Sequence, residues 1–245
     1  MTVRLIVART EDSAVHLAAS RIEQALRDRP DARLGLAAGR TFAPVYDALA
    51  KAQPDMSRAI AVQLDEYAGL EIAHPAAFRG FLTRTLFDRL RHPPRTLLID
   101  GAAPDPHHEI SRHAAAIRQV GGIDLQLLGL GLNGYLAFNE PGSSPARGAD
   151  VVALKPSTQA AARAAGLDPA PTHGLTLGLA DILAARSVLL VVLGSHKAEI
   201  LRRALGEPPS LDCPASWLTR HADMTIVADA GAAALLEQLP ETADE

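Results

Sequence analysis

The segment Asp124-Leu-Gln-Leu-Leu-Gly-Leu-Gly-Leu-Asn-Gly-Tyr-Leu-Ala-Phe-Asn-Glu-Pro141 decides how this chain is read. Residues 124–128 form an apolar run of strand length, bounded by Gly121-Gly122 before it and by glycines after it. From Gly129 to Pro145 the chain is too rich in glycine and proline for a regular element. A buried strand that empties into an irregular glycine-rich loop is what the carboxyl edge of a parallel α/β sheet looks like, and ligands bind at that edge.

Working outward, short apolar runs alternate with longer amphipathic ones, the pattern of parallel strands joined by crossover helices. Strands are expected at 3–8, 33–37, 60–64, 97–99, 151–154, 173–177, 187–193 and 224–227. Thr10 offers a cap for a helix whose apolar positions Val15, Ala18, Ala19, Ile22, Ala25 and Leu26 recur at the helical period, and Pro30 ends it. A second helix carries Pro44 in its first turn, where the missing N–H costs little. His74-Pro75 opens a third, with Phe78, Phe81, Leu82, Leu86 and Leu90 on one face. A fourth spans 105–120 and stops at Gly121-Gly122. Others are expected around 159–165, from Lys197 to Leu205, and in the alanine-rich C-terminal stretch. No internal repeat, heptad or low-complexity linker divides the chain. The expectation is one α/β domain over 1–245, a Rossmann-like parallel sheet flanked by helices.

Composition narrows the function classes. Twenty-four basic against 28 acidic residues leave a formal charge of -4 over 245 residues, and aromatics make up 4%. Broad attraction to nucleic acid or to an anionic membrane is not expected from such a balance, and few rings are available for base stacking. Cys213 is the only cysteine, which rules out an intrachain disulfide and a multi-cysteine zinc site and fits a cytoplasmic protein. The most apolar run, 188–193, is far too short to span a bilayer. Homo-oligomerisation is compatible with all of this.

The sheet-edge rule selects four loops: Gly39-Arg40-Thr41, Asp65-Glu66-Tyr67, the stretch 129–145, and Gly194-Ser-His-Lys197. The first and last join small residues, hydroxyls and a cation at a helix start, a seat suited to phosphate. The other two bring carboxylates, Asp65, Glu66 and Glu140, to the same edge, where general acid–base catalysis could move a proton between carbons of a polyol. Phosphate grip at one end and proton transfer at the other describe an enzyme acting on a sugar phosphate.

Bland readings exist for each feature: turn glycines, a helix cap at Thr41, a solvated acidic turn at Asp65-Glu66, a surface lysine at 197. His107, His108 and His113 lack the spacing of a helical metal pair, so no metal site is expected. Ser195 and His196 are adjacent and do not face one another as nucleophile and base. Gly129-Leu-Gly131-Leu-Asn-Gly134 matches a dinucleotide-binding fingerprint, with Asp150 about twenty residues on. Asn139-Glu-Pro-Gly would break the helix that fingerprint requires.

Through these loops the sequence resembles the family of glucosamine-6-phosphate deaminases and galactosamine-6-phosphate isomerases, which includes the 6-phosphogluconolactonases. The resemblance is carried by Leu36-Ala-Ala-Gly-Arg-Thr41, Leu64-Asp-Glu-Tyr67, His74-Pro75, residues 129–141, Leu175-Thr-Leu-Gly178, Gly194-Ser-His-Lys197 and Pro214-Ala-Ser-Trp-Leu218, in order along nearly the whole chain. Phe138-Asn-Glu-Pro141 favours the amino-sugar branch. The resemblance implies conversion of a 2-amino-2-deoxyhexose 6-phosphate to a ketose 6-phosphate and ammonia, with no metal or redox cofactor and a small sugar phosphate as the partner. It casts Asp65 as the base that carries a proton from C2 to C1 and Glu140 as the carboxylate of a ring-opening relay. Lys197 with Gly39, Arg40 and Thr41 becomes the phosphate seat, and Arg163 a further phosphate ligand.

Asn133-Gly134-Tyr135 departs from the Asp-Gly-His of the deaminases and, at its third position, from the Asn-Gly-His of the isomerases. A histidine of ordinary pKa both accepts and donates near neutrality, whereas a phenol of pKa about 10 starts as an acid. Three readings follow: Tyr135 donates while Glu140 or water accepts; the substrate arrives already open; or the chain binds a sugar phosphate with little turnover.

Overall fold

The computed structural model describes residues 2–236. Seven strands form one parallel sheet. From edge to edge they are Thr2–Ala8 (β1), Asp223–Asp229 (β10), Ser187–Val192 (β9), Leu125–Gly129 (β6), Arg33–Leu36 (β2), Ile60–Gln63 (β3) and Arg95–Leu97 (β5). From β2 the chain steps outward to β3 and β5, then returns to the other side of β2 for β6, β9 and β10. The reversal lies between β2 and β6, and in open α/β sheets the crevice that binds ligands lies outside the carboxyl ends of the strands at such a point. The central strands are covered on both faces, so every residue of β2 is buried, as are Val188 to Val192 of β9. A parallel strand in that position reads as an unbroken apolar run rather than an alternation.

Eight α-helices surround the sheets among the described residues: Glu11–Asp28 (α1), Phe42–Ala52 (α2), Phe78–Thr85 (α3), Pro106–Gln119 (α4), Pro156–Ala164 (α5), Leu179–Leu183 (α6), Ala198–Gly206 (α7) and Ala230–Ala233 (α8). Among them none is long and apolar enough to cross a membrane. Helix α1 begins as its sequence dictates: Thr10 is extended and its hydroxyl accepts the Ser13 N–H, and Ala14, Val15, Ala18, Ala19, Ile22 and Leu26 are buried. At the amino ends of the strands, away from the crevice, Asp124 accepts from Arg33 Nε and Nη2 and from Arg29 Nη1, all at 2.6 Å, and from the Arg33 N–H at 2.9 Å. One carboxylate thus ties the start of β2 to the segment that enters β6.

Several elements differ from expectation. Asp65–Tyr67 does not end a strand in solvent: it is itself a strand (β4), antiparallel to His173–Thr176 (β8), which is antiparallel in turn to Asp150–Ala153 (β7). This small sheet roofs the carboxyl edge of the large one near β3 and buries the acidic pair. Helix α3 begins at Phe78, four residues after His74, and gives way to a 3-10 turn at Phe87–Arg89. Its start is set by a carboxylate from β4 rather than by His74-Pro75. Strand β5 is Arg95–Leu97, two residues earlier than expected, because Arg95 pairs with Ile60. Helix α6 and a 3-10 helix at Pro214–Arg220 were not foreseen. The alanine-rich terminal helix is only Ala230–Ala233, and the stretch after residue 236 lies outside the described residues.

Candidate active site

The four loops singled out in the sequence follow β9, β6, β2 and β3, which are consecutive neighbours in the large sheet. Residues 39–41, Asp65, 130–141 and 194–197 therefore share one edge, although up to 158 positions separate them in sequence (197 minus 39). Outermost are the β9 and β3 loops, three strand spacings or about 14 Å apart before side chains reach inward.

Asp65 and Glu66 are both buried, yet the strand alternation sends them to opposite faces. Glu66 is fully engaged. Its carboxylate accepts the N–H groups of Tyr67 (2.9 Å), Phe78 (3.0 Å) and Arg79 (2.7 Å) and the Gln63 amide at 3.1 Å, and so caps α3. Asp65 is 7% exposed as a residue, and its carboxyl has no hydrogen-bond partner among the described residues. Burial, aided by the charge of Glu66, pushes its pKa from the ordinary 3.8 to about 8. Gln63 fixes the pair, donating to the Asp65 carbonyl at 2.8 Å while its own Oε1 accepts the Ile99 N–H. His113 donates from Nε2 to the Gln63 carbonyl at 2.8 Å, and its burial lowers its pKa to about 4. That histidine is a neutral core residue, while His107 and His108 are exposed.

No helix follows β6 until α5, so the dinucleotide reading of Gly129 to Gly134 fails on geometry. The glycines serve the loop itself. A Cβ on Gly131 would collide with the Tyr135 ring, and Gly134 sits at φ +83° with its carbonyl accepting the Ala215 N–H. The Asn133 side-chain oxygen accepts the Tyr135 N–H at 3.1 Å, so Asn133 orients the residue two positions on. Asn139 clamps the far half of the loop, donating to the carbonyls of Leu136 and Leu177, and Ala137 is held at φ +52°. Tyr135 lies within the fields of Asp65 and Glu140: burial raises its pKa, both carboxylates add to that, and Arg40 opposes it. Glu140 is buried. Its Oε1 accepts from Thr158 Oγ1 at 2.6 Å and from the Lys155 N–H at 3.3 Å, and its Oε2 has no partner.

On the other flank, the half-buried Lys197 reaches from the end of β9 to donate to the Leu130 carbonyl at 2.7 Å. Burial and the nearby Arg40 charge lower its pKa. Two cations thus converge without a carboxylate partner among the described residues. Gly39 takes φ +114°, and its carbonyl accepts from Phe42 and Ala43. Thr41 makes no side-chain cap bond, which leaves its hydroxyl beside the crevice: a Cβ on Gly129 would be 3.9 Å from it. The structure therefore gathers Gly39, Arg40, Thr41, Asp65, Asn133, Tyr135, Glu140 and Lys197. Arg163 stays apart, exposed on α5, its guanidinium making no hydrogen bond or ion pair among the described residues.

Residues 8–227 match the family model described as glucosamine-6-phosphate isomerases/6-phosphogluconolactonase. The chain belongs to that family. Within it, a protein named glucosamine-6-phosphate deaminase from Pseudarthrobacter chlorophenolicus is 41% identical over 227 residues, covering 90% of this chain and 88% of the relative. A solved monomeric glucosamine-6-phosphate deaminase superposes with a TM-score of 0.90 at 34% identity, covering 95% of this chain and 99% of that one. The 6-phosphogluconolactonase of Trypanosoma cruzi shares the fold, with a TM-score of 0.79 at 17% identity over 96% and 97% of the two chains. Against this family background, the site residues missed by sequence reasoning are Gln63, which braces the acidic pair, and Thr158, which bonds Glu140. Tyr67, part of the loop selected from the sequence, lies two residues from Asp65 on one strand, hence on the same face.

Proposed function

We propose that the chain converts a 2-amino-2-deoxyhexose 6-phosphate to a ketose 6-phosphate and ammonia, with residues 1–245 acting as one unit. The observation that carries this reading is the Asp65 carboxyl: buried, without a hydrogen-bond partner among the described residues, raised to about 8, and on the same sheet edge as a cationic seat. A group poised near neutral pH is suited to take a proton and return it. The names of relatives at 34–41% identity support the substrate class.

In this scheme Lys197, Arg40 and the loop Gly39 to Thr41 hold the phosphate, with Arg163 joining when substrate is bound. The raised pKa of Tyr135 keeps its phenol protonated, so it donates to the ring oxygen while Glu140 or water accepts from the anomeric hydroxyl. Once the sugar is open, Asp65 removes the C2 proton while the C1 carbonyl oxygen takes a proton from water, giving an enolamine with a C1=C2 double bond. Asp65 then delivers its proton to C1 and the nitrogen lone pair forms the C2=N bond of an iminium. Water adds at C2, ammonia leaves, and a ketone remains. Only protons and water move, so the scheme calls for no metal or redox cofactor.

The test is to incubate the purified protein separately with glucosamine 6-phosphate, galactosamine 6-phosphate and 6-phosphogluconolactone. Ammonia with stoichiometric ketose phosphate from either amino sugar is the expected result. Lactone hydrolysis with no ammonia from either epimer would overturn the reading.

A further inference from the structure

Helix α5 docks on very little apolar surface. Of its nine residues only Ala162 is buried, against a small cluster that includes Tyr67, Phe138, Val152 and Leu154. Its first turn is instead tied to the loop after β6 by polar bonds. Thr158 Oγ1 donates to Glu140 Oε1 at 2.6 Å, the Lys155 N–H donates to the same oxygen at 3.3 Å, and Lys155 Nζ donates to the Pro141 carbonyl at 2.6 Å. The other carboxylate oxygen, Oε2, is buried and unpartnered. Among the described residues, all bonds to this carboxylate therefore fall on one oxygen and come from one short element, 15 and 18 residues further along the chain.

We infer that Thr158 is a positioning residue: its hydroxyl fixes the rotation of the Glu140 carboxylate so that Oε2 stays free for the substrate. This rests on the reading of Glu140 as part of the ring-opening relay. A carboxylate held by a single short bond from a hydroxyl loses its orientation when that hydroxyl is removed, and a misplacement of about 1 Å can cost about 10²-fold in rate. The same bond secures α5, so the helix and the carboxylate move together. The nearby Lys155 N–H, at 3.3 Å, is too long to hold the carboxylate alone.

The experiment compares Thr158→Val, Thr158→Ser and Glu140→Gln in the full chain by steady-state ammonia release and by amide hydrogen exchange over 156–164. Thr158→Val should lower kcat about ten- to a hundredfold with KM within about threefold of wild type, because the lost bond acts on the reacting group rather than on phosphate binding. Thr158→Ser, which restores the hydroxyl, should recover most of kcat. Exchange over α5 should quicken in Thr158→Val, remain protected in Thr158→Ser, and stay unchanged in the rest of the protein. Unaltered kcat in Thr158→Val, a rise in KM alone, or a serine variant as slow as the valine one would each overturn the proposal. Glu140→Gln keeps an oxygen for Thr158, so it should lose turnover while α5 stays protected. Wild-type turnover in that variant would remove Glu140 from the relay, and the positioning claim with it. If neither amino sugar yields ammonia, the functional reading has failed, and exchange alone decides the tie: unchanged protection in Thr158→Val overturns it.

Discussion

Replacing Asp65 by asparagine should make the protein more stable and inactive at once, and the size of the first effect follows from the burial of the carboxyl. In the folded state the group holds its proton until pH about 8, while in the unfolded chain it gives it up near the ordinary 3.8. Between those values the unfolded state binds fewer protons, so stability falls as pH rises, at up to about 1.4 kcal/mol per pH unit. From pH 5 to pH 7 the wild type should therefore lose roughly 2–3 kcal/mol that the asparagine variant, with nothing to ionise at that position, does not lose. Every other titrating group is common to both proteins and cancels in the difference. The assay is equilibrium denaturation of both proteins at pH 5, 6 and 7, with ammonia release measured alongside. The expected result is a stability gap that widens by roughly 2–3 kcal/mol in favour of Asp65→Asn, together with loss of turnover. A gap that stays constant with pH would show that the carboxyl is not held protonated, and retained turnover would remove it from the reaction.

The pH dependence of kcat/KM should rise towards a limb near pH 8 as Asp65 ionises in the free protein, and that limb is read directly from a profile over pH 5.5–9.5. Tyr135→Phe should lower kcat about 10²-fold or more, and Gly131→Ala should do nearly the same by displacing the ring that its new Cβ would strike. Glu66→Gln sets an NH2 group against the donors Arg79 N–H and Gln63 Nε2, so denaturant titration should show a loss of about 1–3 kcal/mol, while kcat of the folded protein changes little. Asp124→Ala strands the buried Arg33 cation far from the site and should cost about 3–5 kcal/mol without altering KM, a pairing that thermal melts and kinetics can check together.

What could be read from the sequence was local. Thr10 caps α1 from three residues away, and Gly121-Gly122 ends α4 with both glycines at positive φ, because such signals act within one turn. The central strands of the large sheet were visible as apolar runs because both of their faces are covered. The small antiparallel sheet was not visible: β4 has only three residues, two of them acidic, and they pair with β8 more than a hundred positions later. The same separation hid the division of labour in Asp65-Glu66. That Glu66 caps a helix is decided by Phe78 and Arg79, and that Asp65 lies free is decided by the roof of β8, so two neighbouring acids that look equivalent in the sequence differ in the fold. Thr158 carried no signal, since its bond to Glu140 spans a loop, a strand and a helix start.

The four central loops have a consequence for how activity is acquired. Because they rise from β9, β6, β2 and β3, the reactive constellation has no local precursor: no contiguous third of the polypeptide contains both the base and the cationic seat. Turnover can begin only after pairings of high contact order are complete, the slowest class of folding event. In a refolding experiment, recovered ammonia release should therefore trail the return of helical signal, which makes the reaction itself a late-stage reporter of native topology.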